Sequence, residues 1–120
     1  MVMDEGIRLY KELINDLVNM SQSCAESGGV ENAAVRGTDR DGEINELLAG
    51  ASQEVRKALA GYVLGAYQSG IYDVLVHLEW LRECKGMKIS VEGEELSAGQ
   101  YEGFPCDFIG RCKGQEWPDK

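Results

Sequence analysis

The stretch SGIYDVLVHLEWLRECKGMKISVEGEELS, residues 69–97, decides the fold class. Ile71, Val74, Leu75, Leu78 and Leu81 recur at the three-and-four spacing of an amphipathic helix. Lys85-Gly86 stops that pattern. Met87, Ile89 and Val91 then alternate with Lys88 and Ser90, the period of a strand with one buried face. The expectation is that Met87, Ile89 and Val91 are buried and Lys88 exposed. A chain that passes from helix to sheet about two-thirds of the way along belongs to the α+β class with segregated parts.

Beyond this stretch, Glu92-Gly93 is a turn candidate and Glu94 to Ser97 a short second strand, which together make a hairpin. Ala98 to Pro105 reads as a connection. Asp107 to Cys112 alternates again and reads as a third strand, with Lys113-Gly114 as a turn after it. On the other side, Asp4 to about Cys24 reads as the first helix, with Ile7, Tyr10, Ile14, Leu17 and Ser21 on one face. Ser27-Gly28-Gly29 is expected to end it. From there to Arg40 the chain is polar, carries glycine and shows no period, so a loop is expected. Asp41 can cap a short second helix carrying Ile44, Leu47 and Leu48, broken at Gly50-Ala51. Ser52 caps a third, whose buried stripe is expected to be Val55, Leu59, Tyr62, Val63 and Ala66. Ser69-Gly70 makes a corner into the fourth.

The sum is one domain over residues 1–120, with helices over about 4–84 and a β region over about 87–117. About four helices pack on a small antiparallel sheet of two or three strands. A chain of 120 residues buries roughly two-thirds of its unfolded surface, enough for one core without staples.

Charge narrows the partners. Twelve bases against twenty-one acids give −9 at neutral pH. Such a field repels nucleic acid and anionic membranes unless the bases cluster, and no basic run exceeds Arg56-Lys57. It attracts a basic protein. The start, Met1-Val2-Met3-Asp4-Glu5, has neither the basic residues nor the apolar core of a signal peptide, so a cytoplasmic chain is expected. There Cys24, Cys84, Cys106 and Cys112 stay reduced, and burial in the core is the default for each.

Three segments carry a resemblance: GIYDVLVHL from Gly70, MKISVEGEEL from Met87, and CDFIGRCKGQEWPD from Cys106. They resemble a family of small uncharacterised bacterial proteins, a domain of unknown function. The likeness runs from about Glu46 onward, and the Trp117-Pro118-Asp119 ending is its most distinctive part. It implies a small soluble bacterial protein and assigns no residue a role.

Five constellations offer chemistry. Residues 37–48 resemble a calcium loop, with Asp39, Asp41, Gly42, Ile44 and Asn45 in register. But Gly37 and Leu48 stand where the first ligand and the bidentate glutamate belong. The competing reading is a turn and an aspartate cap. His77, Cys84, Cys106 and Cys112 have the donor types of a zinc tetrad but no Cys-x-x-Cys pair. No metal and no cofactor is therefore expected. His77, with Asp73 one turn back to orient it and Cys84 as a nucleophile, would make a weak catalytic group. Tyr72 and Trp80 lie off the main stripe of their helix, where they either pack under the sheet or face a partner. Glu92, Glu94 and Glu95 form an acidic hairpin tip. The leading expectation is a non-catalytic binding or regulatory protein acting on a protein partner, with a toxin-neutralising (immunity-like) protein as one form. Its contacts would be Tyr72, Trp80, Glu92, Glu94 and Glu95. The alternative is a small enzyme or metal-binding protein using His77 with cysteines.

Overall fold

The computed structural model describes residues 4–98 and 101–118. Met1 to Met3, Gly99 and Gln100 of the expected connection, and Asp119 of the Trp-Pro-Asp ending lie outside the described residues. The elements run α1 (Glu5–Ser21), α2 (Ala25–Glu31), α3 (Asp41–Ala49), α4 (Gln53–Lys85), β1 (Ser90–Val91), β2 (Glu94–Glu95) and α5 (Phe104–Cys112). The fold is α+β: mostly helical, with a two-strand antiparallel sheet toward the C-terminus. The chain divides into two compact units, Met1–Asn19 with Gly70–Lys120, and Met20–Ser69.

In the first unit, Asp4 accepts a hydrogen bond from Ile7 N at 3.2 Å and so caps α1. Tyr10 and Ile14, one turn apart, are fully buried, with Leu13, Leu17 and Val18 packed beside them. The core is completed by Leu75 of α4, Ala98, and Phe104 and Phe108 of α5. The hairpin pairs Ser90 with Glu95 and Val91 with Glu94. Its tip, Glu92-Gly93, has positive φ at both residues (51° and 84°), which matches the right-handed twist of the strands. Ile89 and Leu96 continue the pairing through Leu96 N to Ile89 O at 2.8 Å and pack on the core. Ser97 N then donates to Gly6 O at 3.1 Å. A Cβ at Gly6 would stand 2.4 Å from Glu95 O, so this approach requires glycine.

Three expectations for this unit are corrected. Residues 107–112 are helical, part of α5. Pro105 near the helix start has no N–H to waste, and Phe104 and Phe108 share one face at a four-residue step. Val91 is exposed, because the ladder is two residues long and only Met87 and Ile89 turn inward, each half-buried. Cys84 and Cys106 are exposed rather than core residues.

In the second unit, Ser27-Gly28-Gly29 lies inside α2, beyond the end of α1. The Asn32 amide closes α2 by donating to Gly28 O at 2.9 Å. The following segment is held by Asn45, which accepts from Val35 N at 2.7 Å and donates to Val35 O at 3.0 Å. Asp41 is the first residue of α3 rather than its cap. Its carboxylate turns back to accept from Gly37 N and Thr38 N, both at 2.9 Å, and from Thr38 Oγ1 at 2.6 Å. Those donors hold its pKa below the ordinary carboxylate value, the Thr38 hydroxyl contributing most. Arg56 donates to Ala51 O at 2.7 Å, Glu31 O at 2.9 Å and Leu48 O at 3.4 Å, so one guanidinium gathers backbone from α2, α3 and the turn before α4.

The largest correction concerns α4. Ser52 caps it as expected, accepting from Val55 N at 3.1 Å. The helix then runs through Ser69-Gly70 without a corner. A Ser-Gly pair weakens a helix but does not stop one while the inward apolar step continues past it. That step is Ala60, Leu64, Tyr67, Ile71, Leu75 and Leu78, all buried or half-buried. At 100° per residue it lies roughly opposite the stripe expected from Val55, Leu59 and Tyr62, and those three are exposed.

Candidate functional site

The first unit carries the richest side-chain constellation, built around the start of α5. Gly103 precedes the helix with φ at 109°, a left-handed conformation that favours glycine. The Phe104 N–H donates to Glu79 Oε1 at 2.7 Å, and Glu79 also pairs with Arg82 one turn along α4. Asp107 reaches back over the same helix start, accepting from Gly103 N at 3.1 Å and Glu102 N at 3.4 Å. It also accepts from the Tyr10 hydroxyl. Two carboxylates thus satisfy donors at the first turn, where the helix dipole favours negative charge.

Tyr10 links this polar knot to the core. Burial, and then its hydrogen bond to Asp107, push the phenol pKa far above its ordinary value. The hydroxyl therefore remains a donor at any ordinary pH and cannot serve as a base. Its ring stacks on Phe104 (centroids 5.7 Å) and Tyr101 (6.0 Å) and meets Trp117 edge-on at 6.1 Å. Lys11 and Arg111 lie over the Trp117 ring at 5.6 Å each, and Lys11 also lies over Tyr101 at 5.5 Å. Trp117 Nε1 is buried with no hydrogen-bond partner.

Beside this knot is a cleft of about 370 Å³, lined among others by Tyr101, Glu102, Asp107, Arg111, Glu116 and Trp117. Its size falls within the range of small-ligand clefts. Its charges are mixed, and two of them are engaged. Asp107 is committed to the helix start, and Arg111 donates to Asn15 Oδ1 at 3.2 Å and Gln115 O at 2.9 Å. The arrangement holds Arg111 and Trp117 against α1, through Asn15 and Lys11.

The residues singled out in the sequence lie elsewhere. His77 is exposed, and its ring stacks on Trp80 at 5.7 Å with 27° between planes. Asp73 is exposed one turn away, and among the described residues no hydrogen bond joins it to His77. Cys84 is exposed two turns further along α4. The helical form of residues 104–112 separates Cys106, which is exposed, from Cys112, which packs on the core; a strand would have set both on one face. Among the described residues no three His, Cys, Asp or Glu side chains gather in a way that could hold a metal ion. The calcium-like segment spends Asp41 on its own backbone.

Tyr72 packs against the core, whereas Trp80 is 46% exposed. Lys85 places its ammonium 5.5 Å from the Trp80 ring. Glu92, Glu94 and Glu95 are exposed, with Lys88 3.7 Å from Glu95. The residues missed from the sequence are Tyr10, Glu79 and Asp107. The available signal was the Gly103-Phe-Pro-Cys-Asp107 spacing, a helix start with an acid in its first turns.

Among the described residues no helix is long and apolar enough to cross a membrane. No curated protein and no solved structure matches the chain. A family match does exist, and it reaches well beyond the part from Glu46 onward that carries the visible resemblance: with residues 3–119 matched, the chain belongs to the family of unknown function DUF6547.

Proposed function

We propose that the chain is a non-catalytic binding protein of the bacterial cytosol that acts on a basic protein partner, with Trp80 as the anchor of the contact. The observation that carries this reading is the state of Trp80. A large aromatic ring is left 46% exposed while the His77 ring and the Lys85 ammonium hold it in place. Preordered exposed aromatic side chains are the residue type that dominates binding energy in protein interfaces. Val76, also exposed, adds apolar area to this end of α4. The net charge of −9 and the exposed Glu92, Glu94 and Glu95 supply attraction for a basic surface. Toxin neutralisation, an immunity-like role, is one form such binding takes, supported by size, acidity and fold class. Tyr72 is left out of the contact because it packs inward.

The test uses the partner recovered from native cytosol and measures rates by surface-based kinetics. Trp80→Ala should speed dissociation at least about tenfold, the loss of a modest hot spot. Charge reversal at Glu92, Glu94 and Glu95 should slow association and flatten its salt dependence while leaving dissociation nearly unchanged. A partner that ignores both sets of substitutions would end this reading.

A further inference from the structure

Opposite charges stand apart in the cleft of the first unit. There α5 turns one face to the open space, and Cys106, Asp107, Gly110 and Arg111 line that side. Asp107 and Arg111 are four residues apart, a step that sets Cβ atoms about 5–6 Å from each other. An acid four residues before a base is the favoured order for an ion pair on a helix. Yet among the described residues these two do not pair. Asp107 turns back to the Tyr10 hydroxyl and to the amides of Glu102 and Gly103. Arg111 gives Nε to Asn15 Oδ1 and Nη1 to Gln115 O. Its Nη2 has no partner among the described residues.

The remaining lining gives each charge a setting. The Glu102 N–H donates to Asp107, so these two acids are neighbours, and the exposed Glu102 carboxylate meets no partner among the described residues. The cleft therefore has an acid end at Glu102 and Asp107 and a base end at Arg111. Tyr101, Trp117 and Pro118 supply its apolar wall. Trp117 Nε1, in that wall, is a buried donor without an acceptor, a costly state. Gly110 keeps the helical side low. A Cβ there would stand 2.8 Å from Gln115 Oε1, and glycine weakens a helix interior relative to alanine.

These features select among ligand classes. A dianion such as phosphate faces Glu102, Asp107 and Glu116 against Arg111 alone and is repelled. A pure cation meets Arg111, and the Trp117 ring already carries Lys11 and Arg111 at 5.6 Å each. A zwitterion satisfies both ends. The volume of about 370 Å³ lies at the small end of ligand clefts, which suits a molecule of amino-acid size. We propose that this cleft binds a free α-amino acid with an apolar side chain. The ammonium lies between Glu102 and Asp107. The carboxylate accepts from Arg111 Nη2 and, once the ring turns toward it, from Trp117 Nε1. The side chain rests against Tyr101 and Trp117. The site is separate from the partner contact at Trp80, which lies on α4.

Trp80→Phe leaves Trp117 as the chain's only tryptophan, so its fluorescence reports on the cleft. Titration with L-leucine, L-methionine and L-phenylalanine should give a saturable change for at least one of them, with Kd of about 1 mM or tighter. The amide of that amino acid, which lacks the carboxylate, and its des-amino acid, which lacks the amine, should each bind at least about tenfold more weakly. Glu102→Gln should weaken the amino acid at least about fivefold and leave the des-amino acid unchanged. Its melting temperature should not move, because Glu102 is exposed. Gly110→Leu should abolish binding while keeping or raising the melting temperature, since the Gln115 side chain is exposed and can give way. Where Gly110→Leu lowers the melting temperature instead, Glu102→Gln decides alone. A fluorescence that ignores all three amino acids overturns the proposal. So does an amide or des-amino acid that binds as tightly as its parent, a stable Gly110→Leu chain that still binds, a Glu102→Gln chain of unchanged affinity, or inorganic phosphate that binds more tightly than any of the three.

Discussion

The two units of this chain are held by different forces. In the first, Tyr10, Ile14, Phe104 and Phe108 are removed almost completely from water, and the Tyr10 hydroxyl among them is paired with Asp107. In the second, only Ser21, Leu48 and Ala60 are buried among the described residues. There the structure depends on long polar side chains reaching backbone carbonyls: Arg56 to Glu31, Leu48 and Ala51, Ser27 to Ala60 at 2.8 Å, and Gln68 to Ser21 at 3.0 Å. Apolar burial stabilises in proportion to area and needs little direction. A hydrogen bond contributes less on balance but penalises its own loss, because the abandoned partner stays desolvated. The first unit should therefore respond to changes in volume and the second to changes in polar geometry.

The largest effect is expected at Phe108. Phe108→Ala removes a fully buried ring and should cost about 3–5 kcal/mol in urea-induced unfolding. The effect of Arg56→Ala should be smaller, about 2–3 kcal/mol, because three carbonyls lose a charged donor. Arg56→Lys should restore little of it, since one ammonium cannot reproduce a planar fork. Amide hydrogen exchange reads the contrast directly. Phe108→Ala should reduce protection in residues 5–19 and 70–112, and Arg56→Ala in residues 20–69. If each substitution lowers protection evenly along the whole chain, the two units unfold as one and the contrast fails.

The same contrast explains what the sequence made legible. The α1 face, the hairpin turn at Glu92-Gly93 and the α+β class follow from periodicity and turn chemistry, which are local. The phase of α4 did not follow, because Val55, Leu59 and Tyr62 obey the helical period as well as Ala60, Leu64 and Tyr67 do. Periodicity shows that a helix has faces and leaves open which face meets the chain's own core. Residues 107–112 alternate over so short a span that strand and helix patterns coincide; Pro105 and the four-residue step from Phe104 to Phe108 decide between them. The Arg56 and Asp107 clamps were hidden for another reason. Their partners are backbone atoms, or a residue as distant as Tyr10, and no side-chain pattern along the sequence marks those.

An intermediate effect is expected at the start of α5, where both kinds of force meet. In Gly103→Ala the new Cβ would stand 2.5 Å from Glu79 Oε1, at a φ of 109° that alanine rarely adopts. The backbone strain is of order 1–3 kcal/mol. Displacing Glu79 also frees the Phe104 N–H, which costs a further ~1 kcal/mol, as loss of a helix cap does. The sum, about 2–4 kcal/mol, should be visible as a lower urea midpoint. Glu79→Gln should cost less, because the amide oxygen still accepts from Phe104 N. Equal losses in the two variants would mean that the charge on Glu79, rather than its position, matters here.

The smallest effect concerns the loop before α3, and pH reads it better than denaturant does. Asp41 accepts from Thr38 Oγ1, Thr38 N and Gly37 N, and these donors depress its pKa below 3.8. A depressed carboxylate pKa means that the folded state favours the ionised form. The stability it adds is fully present above pH 3.8 and is lost as pH falls through the lower folded value. A carboxyl-carbon NMR titration should therefore place the Asp41 midpoint below 3.8. Thr38→Val removes the largest cause, the hydroxyl, and leaves the two backbone donors. The midpoint should rise toward 3.8 without reaching it, and the global unfolding midpoint at neutral pH should hardly move. An unperturbed midpoint in the intact chain would mean that the carboxylate is not closed on its own loop. Asn45, which holds Val35 by both its amide atoms, would then be the tie that keeps the segment ordered, and Asn45→Ala would be the variant in which order between α2 and α3 is lost.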